Sequence, residues 1–437
     1  MTTTQLQPTP SGSNGREPTR MRDATRAQWL VFASAFLGWM FDTMDLSLFT
    51  FVLAPAVRET SGATSPATIG TLGGVVLGIK LIAWGLGGAV FGFVADRFGR
   101  ARTMTITIAI YAVFTAVSAL ATNWVELAAF QAIAGIGIGG EWAAGAALIS
   151  ETWPKRLRAK AMQLMQMAFA FGFIAAATIN LVVGPHGWRW VFAVGVIPVV
   201  LTFAIRRVVK EPDRWVQAQT AAKLSGSRAS SGWRRLGKAD LRRPMIVGIL
   251  ISLAMMVGSW GGLTWLPSWI AQLLAKHPGG SSTTTMVSEF FMIMMLGAVV
   301  GYLVLIPLVD AVGRRWSYFL FCAGSLISSL VLFTSIHTVN GLLAFAPVYG
   351  FFVIGGFGTF ALYLPELFPT VVRASGQGIA WNGARALTGV GILVAGTIIG
   401  AAGGYPQAAA WVSLVFVIGL GAIWFGPETK GRELQDV

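Results

Sequence analysis

The sequence predicts an all-α membrane protein with twelve transmembrane helices in two pseudo-symmetric six-helix bundles. Of its 437 residues 55% are hydrophobic and 11% are charged, whereas soluble domains carry about 25% charged residues. Long apolar stretches recur from end to end, each near the roughly 20 residues that a helix needs to cross a bilayer. Two short motifs recur about 215 residues apart, which indicates an internal duplication.

The apolar runs predict the spans in chain order. Their limits are 28–57, 67–95, 103–122, 125–152, 160–184, 188–206, 244–272, 286–309, 316–336, 340–366, 374–402 and 406–426. An even number of spans places both termini on one side of the membrane. Arg16, Arg20, Arg22 and Arg26 precede the first span, so that side is predicted to be cytoplasmic. We expect a multi-pass protein of the bacterial cytoplasmic (inner) membrane.

The spans divide the chain into five segments. They are a disordered cytoplasmic tail (1–27), an N-terminal bundle (28–206), a basic cytoplasmic linker (207–243), a C-terminal bundle (244–426) and a cytoplasmic tail (427–437). The net charge of +14 is concentrated in the tails, the linker and alternate loops. This distribution orients helices in a lipid bilayer and does not indicate a nucleic-acid partner. We expect a monomer.

Several chemical functions are disfavoured by the residues present. Cys322 is the single cysteine, and the three histidines lie in separate loops, so we expect no metal site. No nucleophile, base and orienting group cluster as an enzyme requires, so we expect no enzymatic activity and no cofactor beyond a coupling proton. The run Gly135–Gly140 matches the pattern G-x-G-x-x-G, which is typical of dinucleotide-binding sites. It lies inside an apolar span with no strand before it, which favours close helix packing instead.

Two acids in the first span are the strongest functional signal. Asp42 and Asp45 are three residues apart, so they share one face of a helix. A charge at the bilayer centre costs at least about 2.5–3.5 kcal/mol, and such residues commonly mark proton or substrate sites. The alternative is a hydrogen-bonded pair that only holds helices together.

Three more ionisable residues lie at a similar depth. Counting from the span ends at about 1.5 Å per residue places Asp42, Lys80, Glu141 and Arg385 roughly 18–24 Å into their helices. That depth is near the middle of a roughly 30 Å hydrocarbon layer, where transporters hold their substrates. Arg385 has a planar guanidinium group that can donate two parallel hydrogen bonds to a carboxylate. For Lys80, a permanent ion pair with an aspartate is the alternative to substrate contact.

The loop after the second span carries the pattern Gly92-x-x-x-Asp96-Arg97-x-Gly99-Arg100. It resembles the cytoplasmic signature of the major facilitator superfamily, and a degraded copy follows the eighth span. A second repeated motif, E-x-x-P-x-x-x-R, ends the fourth and tenth spans. The residues predicted to act at the cytoplasmic gate are Asp96, Arg97, Gly99, Arg100, Glu151, Arg158, Asp310, Arg314, Glu366 and Arg373.

The resemblance also implies roles for the buried residues, because in that superfamily spans one, four, seven and ten line the central cavity, with spans two, five, eight and eleven beside them. Asp42-x-x-Asp45 resembles a motif of the aromatic-acid:proton symporters, whereas the run before Trp142 resembles the sialate and monocarboxylate symporters. The residues predicted to couple protons are Asp42, Asp45 and Glu141. Those predicted to bind substrate are Arg385, Lys80, Trp381, Asn382 and Trp265.

These features predict a secondary active transporter that takes up a small organic anion with a proton, by alternating access. The candidate substrates are an aromatic acid, a muconate or muconolactone-type product of aromatic catabolism, a monocarboxylate or a sugar acid. A proton-coupled efflux pump is one alternative. Efflux members usually have a fifth span rich in glycine and proline, whereas this span has glycine only at Gly172 between Met162 and Val183 and its first proline at Pro185. A nutrient-sensing receptor built on a transporter fold is another alternative.

Overall fold

The computed structural model of the chain describes residues 21–200, 239–275, 282–368 and 373–430. Within these ranges every regular element is a helix. Eight helical stretches are long and apolar enough to cross a membrane, and three shorter apolar helices accompany them. Together with the more polar helix Arg373–Leu393 they match the predicted spans one for one, so the all-α membrane fold is confirmed.

The helices of the N-terminal half begin close to the predicted limits. They are α1 (Arg26–Ser61), α2 (Pro66–Phe98), α3 (Arg100–Ser118), α4 (Trp124–Ile138), α5 (Glu141–Thr152), α6 (Lys155–Gln166), α7 (Ala168–Val183) and α8 (Trp188–Val194). Short 3₁₀ turns precede α1 at Met21–Asp23 and follow α7 at Gly184–His186. The fourth span comprises α4 and α5, and the fifth comprises α6 and α7.

The helices of the C-terminal half follow the same order. They are α9 (Ala239–Ala275), α10 (Thr283–Val312), α11 (Arg314–Ser335), α12 (Val339–Val353), α13 (Gly358–Glu366), α14 (Arg373–Leu393), α15 (Ala395–Ala402), α16 (Tyr405–Ser413) and α17 (Phe416–Ala422). Residues 239–243, predicted as linker, belong to α9. The rest of the linker, the tail before residue 21 and residues 431–437 lie outside the described residues.

Matching helix caps support the duplication read from the sequence. The Ser65 hydroxyl accepts from the backbone N–H of Thr68 before α2, and Ser282 accepts from Thr285 before α10. Asn123 and Thr338 cap α4 and α12 in the same way. Short polar side chains satisfy N–H groups that a helix start leaves unpaired.

Glycines with positive φ also recur at equivalent positions. Gly99 (φ 108°) precedes α3 and Gly313 (φ 89°) precedes α11, while Gly187 (φ 112°) and Gly404 (φ 151°) precede α8 and α16. Side chains with a Cβ rarely adopt this backbone region. These loops therefore need glycine for their geometry, which the sequence motifs alone did not reveal for the last two positions.

The fourth and tenth spans are each interrupted by a short turn that was not predicted from the sequence. The fourth span breaks at Gly139 and Gly140, so that Glu141 starts a new helix. The tenth span breaks at the equivalent 3₁₀ turn Gly355–Phe357. Paired glycines lower helix propensity, and here they also bring backbones together. A Cβ at Gly139 would overlap the backbone nitrogen of Gly88 in α2.

The two halves meet along a surface of small residues between α2 and α14. A Cβ at Gly78 would lie 2.9 Å from the carbonyl oxygen of Gly389. A Cβ at Gly85 would lie 2.9 Å from the Cβ of Ala386. This surface, which we call the α2–α14 seam, places the buried charges of one half beside those of the other.

The fold predicts a sharp difference between two glycine substitutions. Gly139→Ala should lower the free energy of unfolding by about 1–3 kcal/mol, because the new methyl group meets rigid backbone. In Gly421→Ala, a control in α17, the added Cβ meets no atom within 4 Å. Thermal unfolding of the purified proteins in detergent measures both. Equal melting temperatures for the two variants would contradict the packing role of Gly139.

Candidate transport site

Five buried ionisable side chains come from four helices. Asp42 and Asp45 belong to α1, and Lys80, Glu141 and Arg385 belong to α2, α5 and α14. The exposed fraction of each is between 0 and 3%. Asp42 interacts electrostatically with Glu141, Asp45 and Arg385, and Lys80 interacts with both aspartates. The fold therefore brings the charges from separate spans into one cluster.

Asp45 and Lys80 form a satisfied ion pair. The Lys80 ammonium donates to Asp45 Oδ2 at 3.0 Å, and the Thr115 hydroxyl donates to Asp45 Oδ1. The Lys80 nitrogen also lies 4.9 Å from the centre of the Phe49 ring. A buried ion pair persists only when further hydrogen bonds compensate its desolvation, as they do here. In this state Lys80 contacts Asp45.

Asp42 lies in a different environment although it is less than one helical turn away. Neither of its carboxyl oxygens has a hydrogen-bond partner among the described residues. The Tyr111 hydroxyl faces it without reaching hydrogen-bond geometry. Burying an ionised carboxylate without partners is very costly. An ionised Asp42 would therefore have only its electrostatic contacts with the cations Lys80 and Arg385 to offset its burial.

Glu141 is positioned by the break in the fourth span. One of its oxygens, Oε2, lies 3.1 Å from the Thr107 hydroxyl, and the other, Oε1, lacks a partner among the described residues. That second oxygen lies against Gly38 of α1, where any Cβ would overlap it. Gly38 is one turn before Asp42, so the glycine brings the two acids near each other.

Arg385 supplies the cation on the C-terminal side of the cluster. Its Nη1 donates to Asn382 Oδ1 at 2.6 Å, and its guanidinium carbon lies 3.9 Å from the centre of the Trp84 ring and 5.5 Å from that of Trp381. Stacking on indole stabilises a guanidinium but leaves its edge available for an anion. Among the described side chains, no carboxylate lies within 4.0 Å of Arg385.

Aromatic side chains surround this guanidinium and close a narrow cavity. The cavity is lined by Trp39, Trp84, Gln166, Phe169, Met256, Trp260, Phe357, Trp381 and Arg385. The indole N–H groups of Trp39 and Trp381 have no partner among the described residues. The space between the walls admits about one water molecule. Trp265, predicted to bind substrate, is buried but does not line this cavity, whereas Trp260 does.

Contacts between the halves close the cavity on two levels. Trp142 of α5 stacks on Trp381 of α14 with ring centres 5.7 Å apart and planes at 27°. Near the start of α10, Asn180 donates to Ser288 at 3.1 Å. Both contacts join residues of different halves, so both must separate if the halves rock apart. The structure is thus closed around the charge cluster.

Two predicted gate residues form a bidentate ion pair. Arg314 donates from Nε and Nη2 to the two carboxylate oxygens of Glu366 at 3.0 and 2.9 Å. Beside them, Glu428 accepts from the backbone N–H groups of Arg314 and Arg315 at 3.0 and 3.1 Å. Partial burial would raise the pKa of Glu428, but these and two further backbone donors hold its pKa below the ordinary value.

The remaining gate residues are described to different degrees. Gly99 caps α3, Asp310 is exposed and interacts electrostatically with Arg314, and Arg158 donates to the carbonyl of Trp153 at 3.4 Å. Side chains outside the described part of the structure are those of Asp96, Arg97, Arg100, Glu151 and Arg373. The roles of all these residues stay predictions.

The hydroxyl groups that face the acids were not predicted from the sequence. Thr107, Tyr111 and Thr115 of α3 are fully buried beside the carboxyl groups of the cluster. Their four-residue spacing in an otherwise apolar span was the available signal. The tryptophans Trp39 and Trp84 gave no such signal, because tryptophan is frequent throughout this chain.

Comparison with known proteins places this geometry in a family. The family model described as Major Facilitator Superfamily matches residues 35–380. The chain belongs to this superfamily. The family model for sugar and other transporters also matches residues 337–437. Members of the superfamily are transporters and not enzymes, which confirms the expectation that this protein is not an enzyme.

Individual members of the superfamily resemble most of the chain. A probable 4-methylmuconolactone transporter of Cupriavidus pinatubonensis is 31% identical, over 93% of this chain and 92% of its own length. A cis,cis-muconate transport protein of Acinetobacter baylyi is 27% identical, over 93% and 94%. The solved structure of a proton:xylose symporter bound to 6-bromo-6-deoxy-D-glucose superposes with a TM-score of 0.74 at 21% identity, over 94% and 98%. This last likeness confirms the major facilitator fold.

The ion pair at the site predicts a pattern of stability changes. Lys80→Met should lower the free energy of unfolding by about 3–5 kcal/mol, because Asp45 is left buried without its cation. The double variant Lys80→Met/Asp45→Asn should recover most of this loss. Thermal unfolding of these two variants and of Asp45→Asn alone completes a double-mutant cycle. The cycle measures the coupling free energy between Lys80 and Asp45. Independent, additive losses would show that the two side chains do not pair.

Proposed function

We propose that this protein imports a small organic monocarboxylate together with a proton, by rocking of its two halves around the buried charge cluster. We place it in a bacterial inner membrane with both termini in the cytoplasm, as its arginine-rich start favours. The observation that carries the proposal is Arg385, a buried cation whose described hydrogen bond goes to a neutral amide and not to an acid. Binding a carboxylate there compensates a charge that is otherwise costly.

The walls of the cavity favour a planar, unsaturated substrate body. Indole rings from Trp39, Trp84 and Trp381 surround the guanidinium, and two of them carry unpartnered N–H groups. Flat apolar molecules stack on such faces, and the N–H groups suit the oxygen atoms of a carboxylate or lactone. Aromatic acids and muconolactone-type acids fit this description better than sugar acids, whose many hydroxyl groups need more partners.

Charge balance supports a stoichiometry of one proton for each monocarboxylate. Setting aside the Asp45–Lys80 pair, the cluster holds Asp42 and Glu141 as acids and Arg385 as a base. One proton shared by the two acids makes this trio neutral. A carboxylate on Arg385 adds one negative charge, so a second proton restores neutrality. Since unpaired buried charge is strongly disfavoured, substrate and proton bind together.

The electrostatic contact between Asp42 and Arg385 links the two binding events. When Arg385 pairs with a substrate carboxylate, it stabilises an ionised Asp42 less, which favours protonation of that acid. By linkage, protonation of Asp42 strengthens substrate binding by the same factor. The loaded site carries no net charge. The halves can therefore rock around it without carrying a net charge through the membrane. Glu141 interacts electrostatically with Asp42, and through that acid it responds to a change at Arg385.

Substitution of Arg385 tests the substrate role. Arg385→Gln should reduce uptake of carboxylates at least about a hundredfold, because a buried charge-assisted pair is worth about 3 kcal/mol or more. Uptake of the monocarboxylates benzoate and glucuronate, and of the dicarboxylate cis,cis-muconate for comparison, into proteoliposomes is measured, with exposed Arg58→Gln as the matched control. Uptake by Arg385→Gln at the wild-type rate would contradict the anion-binding role.

Ion gradients test the coupling. An inward pH gradient alone should drive accumulation of a monocarboxylate, whereas a membrane potential alone should not, because one anion and one proton carry no net charge. Asp42→Asn should abolish accumulation but retain exchange of external for internal substrate. The control is Asp23→Asn, at an exposed acid. Accumulation by Asp42→Asn equal to wild type would exclude Asp42 as a coupling group, and outward-directed accumulation would favour an efflux pump.

A further inference from the structure

One face of α3 carries a hydroxyl group at every fourth position. The residues are Thr107, Tyr111 and Thr115, and none of their side chains is exposed. Residues four apart lie above one another on a helix, so these hydroxyls form a column. This α3 hydroxyl column runs through a span whose other residues are mostly apolar.

Each hydroxyl of the column faces a different acid. The Thr107 oxygen lies 3.1 Å from Glu141 Oε2, and the Thr115 hydroxyl donates to Asp45 Oδ1. The Tyr111 hydroxyl lies near Asp42, between these two contacts, without reaching hydrogen-bond geometry. The acids come from α1 and α5, whereas all three hydroxyls come from a single helix. A shared scaffold for three acids is more than the packing of α3 requires.

Glycines hold the column close to its neighbours. A Cβ at Gly140, in the break before α5, would lie 2.8 Å from Thr107 Cγ2. A Cβ at Gly137 would lie 2.8 Å from the backbone nitrogen of Tyr111, and one at Gly195 would lie 2.6 Å from Thr115 Cγ2. The neighbouring helices therefore approach α3 as closely as backbones permit at each level.

Thr107 has two possible acceptors for one hydrogen atom. Its oxygen lies 3.0 Å from the carbonyl oxygen of Met104 and 3.1 Å from Glu141 Oε2. When Glu141 is ionised, the hydroxyl donates to the carboxylate. When Glu141 is protonated, the acid donates to Thr107 and the hydroxyl turns to Met104. Whether Glu141 is ionised or protonated, the Thr107 oxygen keeps a hydrogen bond to it, and only hydrogen atoms need to move.

We propose that the α3 hydroxyl column positions the acids that bind and release the coupling proton. Thr107, Tyr111 and Thr115 are positioning residues in this role. This inference rests on the proposed proton coupling. The proton moves between water and the carboxyl oxygen of Glu141 or Asp42, and the hydroxyl only reverses its hydrogen bond. No hydroxyl O–H bond breaks. Thr115 instead donates to the carboxylate that pairs with Lys80, which leaves the other two acids to change charge.

Other charged groups around α3 limit how the column is tested. Those facing it from the packed helices are Asp42 and Asp45 of α1, Lys80 of α2, Glu141 of α5 and, beyond its outer end, Glu126 of α4 and Arg189 of α8. Arg385 acts on the column through Asp42. A useful readout must therefore report on one acid at a time.

Infrared difference spectroscopy of the purified protein supplies that readout without any substrate. The carboxyl band lost in Glu141→Gln identifies Glu141, and its amplitude against pH gives a midpoint. Thr107→Val should raise that midpoint by about one pH unit, a tenfold change, because the ionised acid loses a charge-assisted donor. Thr107→Ser should restore it. The control is Thr103→Val on the same helix, whose hydroxyl donates only to the Gly99 carbonyl, at 2.7 Å.

A second variant keeps the test decisive if Thr107→Val fails to fold. Tyr111→Phe removes only a hydroxyl and should shift the midpoint of the band that disappears in Asp42→Asn. Unchanged midpoints in folded Thr107→Val or Tyr111→Phe would overturn the proposal. If the midpoints shift but wild-type protein accumulates none of benzoate, cis,cis-muconate or glucuronate under a pH gradient, the proposed function fails while the role of the column stands.

Discussion

The cost of burying charge away from water governs how this molecule is built. Asp45 and Lys80 meet that cost by pairing with each other and with Thr115, which fixes α1 against α2 and α3. Asp42 and Arg385 meet it only in part, since the first lacks hydrogen bonds and the second rests on indole rings. A satisfied ion pair therefore lies beside two charged groups that are only partly compensated, and the proposed binding of a proton and of an anion rests on these two groups.

The same cost explains why glycine is so frequent along the helices around the cluster. Charges that must compensate one another need to be within a few ångströms, and helices with side chains between them stay 8–10 Å apart. Gly38 lets Glu141 reach α1, and Gly88 leaves room for the Asn382 amide that accepts from Arg385. Small residues thus serve electrostatics here as much as packing.

Much of this arrangement was readable from the sequence, because hydropathy and length specify spans and repeated motifs specify the duplication. Residue counts also predicted a similar depth for Arg385 and Glu141, and both belong to the charge cluster. Residue counts do not give rotation about a helix axis, so Trp265 was predicted at the site where Trp260 lines the cavity. Nor did they reveal which aspartate pairs with Lys80, which depends on how α1 and α2 cross. The break at Gly139 was missed because a glycine in an apolar run is compatible with a continuous helix.

The α2–α14 seam has a consequence for the energetics of motion. Where two helices interlock through large side chains, moving one past the other requires each chain to leave its socket and adopt a new rotamer. Gly78 and Gly389 have no side chains of their own, but the Leu393 and Ile82 side chains pack against them. Sliding α2 along α14 therefore requires these two side chains to leave the opposing glycines, whereas the contact of Gly85 with Ala386 presents no such obstacle.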